Sequence, residues 1–251
     1  MSKIPIALQL YSVRDDCKND LPGVIKSVAK MGYVGVEFAG YYGFSAAEIR
    51  SMLDDSGLKC CGAHVGLDSL QGDKLPETIE FHKTIGNRFL IVPGVFASRQ
   101  DQKGPWLEVV EAINEISDKL KPVNMLTGYH NHSSEFKPLA SGELPWDLFF
   151  GNTRNEVIMQ FDVGNALHGG ADAAPFLKRY PGRALSVHVK EYSKTNDSAL
   201  IGEGDVNWPE IFNICETTGG TQWYVVEQES YSCPPLECVD LCLKNLRKMG
   251  K

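Results

Sequence analysis

"YVGVEFAGYYGFSAAEIRSMLDDSGLKCCGAHV", residues 33–65, contains one structural unit and the start of the next. Residues 33–40 form a β-rich run, and residues 45–57 carry a helical pattern. Residues 58–65 return to a β-rich run. Ser45 stands three residues before Glu48, the spacing of a capping box. There, hydroxyl and carboxylate each satisfy a backbone N–H at the helix start. Gly57 follows the last periodic residue as a C-terminal cap does. The stretch reads strand, loop, helix, strand.

The theme repeats in both directions. Further β-rich runs lie at 6–13, 89–95, 125–132, 157–164, 184–191 and 223–229. Helical patterns lie at 21–32, 106–121 and 236–250, with Gly32 and Gly250 as closing caps. Strands that alternate with helices pair in parallel. Eight such units in 251 residues match the count and size of a (β/α)8 TIM barrel. No linker, composition shift or low-complexity tract divides the chain, so residues 1–251 read as a single domain. The rival is a doubly wound open sheet, which usually has fewer strands. No glycine-rich dinucleotide loop follows the first strand to support it.

Hydrophobic residues make up 43% of the chain, enough for a large core. The net charge of −7 argues against nucleic acid or an anionic membrane as a partner. Seven cysteines at irregular spacing do not form a disulfide framework. They read as reduced thiols in a cytoplasmic protein. Cys238 and Cys242 suit helix packing better than a zinc site, since no CxxC and no nearby histidine accompanies them. No apolar stretch approaches the ~20 residues of a membrane span. The N-terminal "MSKIPIALQLYSVRDD" lacks the shape of a signal peptide.

In a (β/α)8 barrel the chemistry sits at the C-terminal ends of the strands. Seven of the β-rich runs carry polar residues late in the run: Gln9; Glu37; His64; His130 and His132, followed by Glu135; Gln160 and Asp162; His188 and Lys190; Glu227 and Glu229. A spacing of two puts pairs such as His130 and His132 on one face of a strand. Ionisable groups inside strands are costly unless paired, hydrogen-bonded or metal-bound, so their convergence on one mouth points to a site. Carboxylates and imidazoles without cysteine suit a divalent ion such as manganese, zinc, cobalt, iron or magnesium. Such an ion polarises a carbonyl or hydroxyl, and a neighbouring carboxylate can then take a proton from carbon.

Bland readings compete at several positions. His64 is a barrel-packing residue or a substrate hydrogen-bond partner. Glu37 is a structural ion-pair partner, or it positions a substrate hydroxyl or a catalytic side chain. Lys190 snorkels to water, or it polarises a carbonyl or holds an anionic group. Gln9 and Asn165 are candidate substrate contacts. His82 and His168 read as surface or loop residues. Trp106 reads as core or as an apolar wall for a sugar. In "GEGDVNW" (202–208) the acidic residues oppose a phosphate site, and Asp205 or Asn207 reads as a helix-entry cap.

Taken together, "LQLYSVRDD", "GYHNHSSEF", "FDVGN", "SVHVKEY", "GEGDVNW" and "VVEQE" resemble the sugar phosphate isomerase/epimerase superfamily, the xylose isomerase-like TIM barrels. The resemblance spans nearly the whole chain. It implies one divalent metal ion, held by Asp162, His188, Glu227 and a fourth ligand from the fifth strand. Many members carry Glu-Asn-His there; this chain has His130-Asn131-His132. Either His130 replaces the glutamate or Glu135 reaches back. The family's epimerases work with two carboxylates, and one of them is the glutamate absent here. Proton abstraction by Glu227 or Glu135, with a histidine such as His132 as acid, serves isomerisation, epimerisation or loss of water. The resemblance therefore implies an isomerase or epimerase acting on a sugar or polyol next to a carbonyl, through a metal-stabilised enediolate. A dehydratase or lyase of a keto-sugar or inosose is the alternative. It also points to a small carbohydrate substrate and a homo-oligomer. A nuclease of the endonuclease IV type would need more ligands and a basic surface. A non-catalytic sugar-binding barrel is the reading from another class.

Overall fold

The computed structural model describes residues 3–95 and 102–251. Eight parallel strands close into a barrel in sequence order: β1 (Ile6–Gln9), β2 (Gly35–Phe38), β3 (Lys59–His64), β4 (Phe89–Val92), β5 (Leu126–His130), β6 (Ile158–Asp162), β7 (Ser186–Val189) and β8 (Trp223–Val226). β8 pairs back onto β1, so no strand edge is left open. Outside the barrel run α1 (Arg14–Met31), α2 (Ala46–Ser56), α3 (Lys74–Thr84), α4 (Lys103–Leu120), α5 (Pro145–Asn152), α6 (Val163–His168), α7 (Ala173–Arg179), α8 (Trp208–Ile214) and α9 (Pro235–Lys248). None of the described helices is long and apolar enough to cross a membrane.

The signals that bound the second helix act where the sequence placed them. Ser45 and Glu48 form the full capping box of α2, and Gly57 ends that helix in the left-handed region. The first helix starts earlier than its periodicity suggests. Arg14 to Asn19 already wind, Asp20 leaves helical geometry, and Pro22 restarts the helix with the Asp20 carboxylate accepting from Gly23 N. Asp205 does not cap α8; its carboxylate accepts from Lys194 N instead. Asn207 holds the cap position, but its side-chain amide donates to Glu210. His82 is buried on α3, not at the surface. Trp106 lies within α4 and packs on Tyr129, with ring centroids 6.0 Å apart. The cysteines are unpaired, and Cys238 and Cys242 are buried on α9.

Two layers fill the barrel interior. The lower one is apolar: Ala7, Cys61 and Val225 in one cluster, Phe89, Ile91 and Ile158 in another, with Trp223 against both. Two residues further along the strands, on the same face, the interior turns polar with Gln9, Glu37, His130, Gln160, His188 and Glu227. A bulge sets the phase of β3: Val36 pairs with Cys60 but Glu37 with Gly62. Without that shift His64 would not face inward.

Candidate metal centre and active site

Strand register brings the polar layer together. Gln9 pairs beside Glu37, His130 beside Gln160, and Asp162 beside His188. The strands end at or next to these residues, so the polar layer is the floor of the barrel mouth.

Glu37 is the hub. It accepts from Gln9 Nε2 at 2.7 Å, Gln160 Nε2 at 2.7 Å and His188 Nε2 at 2.6 Å. Gln160 Oε1 accepts from His64 Nε2 at 2.7 Å. Burial would raise the Glu37 pKa, but the imidazoles of His64 and His188 and these hydrogen bonds lower it. Glu37 is fully buried beneath His188, so it positions that ring and does not line the cavity above. Gly62 makes room for it: a Cβ there would lie 2.5 Å from Glu37 Oε1.

Four potential ligand atoms meet above this hub. One each from His130, Asp162, His188 and Glu227 lie within 4.8 Å of one another, and all four residues are buried. His188 Nδ1 lies 2.5 Å from Glu227 Oε2 and 3.8 Å from Asp162 Oδ2. Burial lowers the His188 pKa, but Glu37 and Glu227 outweigh it and push it up to about 10. Burial, with Glu227 adding, pushes Asp162 up to about 7. Glu227 is pulled well below the carboxylate range, because Lys190 and His188 outweigh its burial. Burial holds His130 well below the usual imidazole value and leaves it neutral, with a lone pair to offer.

Two buried atoms in the group, His130 Nδ1 and Asp162 Oδ2, have no hydrogen-bond partner. Orphaned buried polar atoms are uncommon and costly. Two imidazoles and two carboxylates are a donor set for a divalent transition-metal ion, and one ion would satisfy both orphans. Glu37 holds the far nitrogen of His188, the arrangement that orients metal-bound histidines. The residues therefore fit one divalent ion. A second grouping, His64, His130 and His188, shares two of its members with the first.

The other candidates divide. Gln9, His64, His130, His132 and Glu227 line one cavity of about 400 Å³ above the group. Strand β5 ends at His130, so His132 lies beyond the strand; it is exposed, its ring 5.2 Å from that of His130. Lys190 Nζ donates to Glu227 at 3.3 Å and pairs with Glu229. Glu135 is not brought into the group. Its carboxylate accepts from Tyr129 Oη at 2.8 Å, His132 N at 3.0 Å and Ser134 Oγ. Tyr129 faces the helices, so Glu135 is drawn to the outside of β5. Asn165 caps from the side: its N–H donates to Asp162 Oδ1 and its amide to Asn131 O.

Sequence reasoning gave no role to three residues. Asn131 Oδ1 accepts from Asp162 N at 2.8 Å and its amide donates to Asp162 O at 3.0 Å, which fixes the end of β6 against β5. Gln160 was visible as a polar residue inside a strand, but its place under Glu37 was not. Glu191 accepts from Tyr192 N, Gly202 N, Val206 N and Trp208 Nε1. It anchors "GEGDVNW" to the end of β7, and Gly204 has no space for a Cβ against Tyr192 O and Glu191.

The profile of the xylose isomerase-like TIM barrel family matches residues 25–248. Inosose dehydratase of Erwinia tasmaniensis is 23% identical over 251 residues, covering 84% of this chain and 83% of its own. A sugar phosphate isomerase/epimerase structure from Parabacteroides distasonis is 25% identical, with a TM-score of 0.85 over 98% of both chains. The IOLI protein, solved with a bound zinc atom, superposes with a TM-score of 0.76 at 14% identity over 97% of each chain. The barrel and the profile agree: the chain belongs to the xylose isomerase-like TIM barrel family.

Proposed function

We propose that the protein is a divalent-metal-dependent enzyme that moves a proton next to the carbonyl of a sugar or cyclic polyol. The convergence of His130, Asp162, His188 and Glu227, with two orphaned donor atoms among them, carries this reading. A bound ion supplies Lewis acidity toward a carbonyl or hydroxyl oxygen. Glu227 lines the cavity and is kept ionised by Lys190 and His188, so it is placed to accept the proton. Gln9 and His64 line the same cavity and offer hydrogen bonds to hydroxyls. His132, at its rim, is placed to return a proton.

Two outcomes share the first step. Isomerisation returns a proton to the neighbouring carbon, and epimerisation returns one to the opposite face of the same carbon. Dehydration gives the proton to a departing hydroxyl, which leaves as water. One observation favours dehydration. Glu135 is committed outside β5, so no strand-five carboxylate faces the cavity, and the carboxylate that lines it beside Glu227, that of Glu229, is paired with Lys190. Curated relatives named inosose dehydratase support the same choice. The test is solvent deuterium incorporation into a panel of ketoses and an inosose, with manganese-, zinc- or cobalt-loaded protein. Exchange with loss of water supports dehydration, and exchange with all atoms retained supports isomerisation or epimerisation. Removing a general base costs ~10²–10⁴-fold, so Glu227→Gln should fall at least that far. No exchange into any member would sink the proposal.

A further inference from the structure

Beyond the metal group the mouth continues in one direction. A cavity of about 340 Å³ is lined by Tyr41, His64, Ser69, Lys74, Glu77 and Phe81, between the connections that follow β2 and β3. His64 lines this cavity and the one above the metal group, so the two adjoin at its ring. Each is near the lower end of the ~300–1,000 Å³ range of small-molecule sites, room for one sugar ring rather than two.

The second cavity has the composition of a sugar subsite. Tyr41 and Phe81 give it an aromatic side, their centroids 4.4 Å apart. An aromatic face suits the apolar C–H face of a pyranose. Ser69, Lys74, Glu77 and Thr78 form its polar side; Lys74 Nζ also pairs with Asp68 at 2.9 Å, and Thr78 Oγ1 donates to Ser69 O at 2.7 Å. Tyr41 is also held in place. Its hydroxyl accepts from His82 Nε2 at 3.1 Å, since Asn87 Nδ2 donates to His82 Nδ1 at 2.8 Å. The backbone around it is unusual: Gly40, Tyr42 and Gly43 all have positive φ, and Tyr42, at 52°, is one of two non-glycine residues with positive φ among the described residues. These residues form the turn that carries Tyr41. On the opposite side, a cavity of about 360 Å³ shares Glu229 with the central one, and the Lys190–Glu229 ion pair lies between them.

We infer that the Tyr41 cavity binds a second sugar ring, so that the substrate is a keto-disaccharide or a glycoside of a keto-sugar. The reacting ring occupies the cavity over the metal group, and its partner packs on Tyr41. A pre-positioned aromatic ring costs little entropy on binding.

This inference rests on the proton-transfer reading for the identity of the reacting ring, so the test separates the two. Binding of D-fructose, isomaltulose, turanose and maltulose is measured by ligand-observed NMR on magnesium-loaded protein. Deuterium exchange into the same sugars is measured in parallel on the manganese-loaded form. The expected result is at least one disaccharide binding about tenfold tighter than fructose, equivalent to ~1.4 kcal/mol. Tyr41→Ala should abolish that preference while fructose binding is unchanged. Tyr41→Phe should retain it, because the hydroxyl contacts His82. Lys74→Ala/Glu77→Ala, at two exposed positions, should weaken disaccharide binding alone and guards against misfolding of Tyr41→Ala. Disaccharides that bind no tighter than fructose, or a Tyr41→Ala effect equal on both, would overturn the subsite. Tyr41-dependent disaccharide binding without exchange into any sugar would keep the subsite and remove the proton-transfer reading.

Discussion

Glu37 contributes a carboxylate that never meets solvent, yet the position of His188 depends on it. Outer-layer partners of this kind are worth ~10–100-fold in metal affinity. Glu37→Gln should weaken zinc or manganese binding by that factor in competition calorimetry; unchanged affinity would show that the barrel alone fixes His188. His82 makes a separate prediction. Burial lowers its pKa to about 4, so the unfolded chain takes up its proton first, near the ordinary value of ~6.5. The stability from neutral His82 is complete above that value and is lost as pH falls toward 4. The loss reaches on the order of 3 kcal/mol. His82→Gln should flatten the pH dependence of guanidinium unfolding between pH 6.5 and 4; an unchanged slope would contradict the buried neutral ring. At this scale Asp162, His188 and Glu227 were legible because each sits in a distinctive motif at a strand end. Glu135 was not, because its direction depends on Tyr129 facing the helices, which spacing alone does not reveal.

Strands and connections carry the next level of constraint. The β2–β3 bulge places Gly62 under Glu37, where a methyl group would meet a carboxylate already holding three hydrogen bonds. Overpacking costs ~1–3 kcal/mol. Gly62→Ala should lower stability by that amount in urea unfolding and reduce metal affinity with it; loss of stability alone would separate the bulge from the metal group. The bulge was not legible, since Cys60, Cys61 and Gly62 read equally well as a regular strand. The anchor of "GEGDVNW" was equally hidden: its acidic residues and its place before a helix suggested a cap, whereas Glu191, upstream, gathers the loop's N–H groups. Glu191→Ala should speed amide exchange at Gly202 and Val206 with little change in the barrel strands, as read by hydrogen–deuterium exchange. Protected loop amides in that variant would assign the loop's order to other contacts.

The whole molecule separates stability from chemistry along the barrel axis. The apolar lower layer and the shell of helices hold the fold, and the upper layer spends burial on polar groups. The barrel was legible because closure needs only a count of alternating units, each with its own start and stop signals. The two layers were legible in outline, through polar residues late in the strands. Which polar residue faces which required the register. An ion that binds only the folded chain stabilises it by ~2.7 kcal/mol at a hundred times its dissociation constant. For a chain of this size that corresponds to a rise of roughly 5–10 °C in Tm. Zinc or manganese should produce that rise in wild type and not in His188→Ala; equal rises in both would place the ion elsewhere. Glu191 adds a consequence for turnover. A connection tied down through the backbone N–H groups of Tyr192, Gly202 and Val206 and the indole of Trp208 is a fixed wall rather than a lid. Turnover does not wait for that loop to swing open, so loosening it with Glu191→Ala should not raise kcat; a faster variant would show that the loop limits turnover.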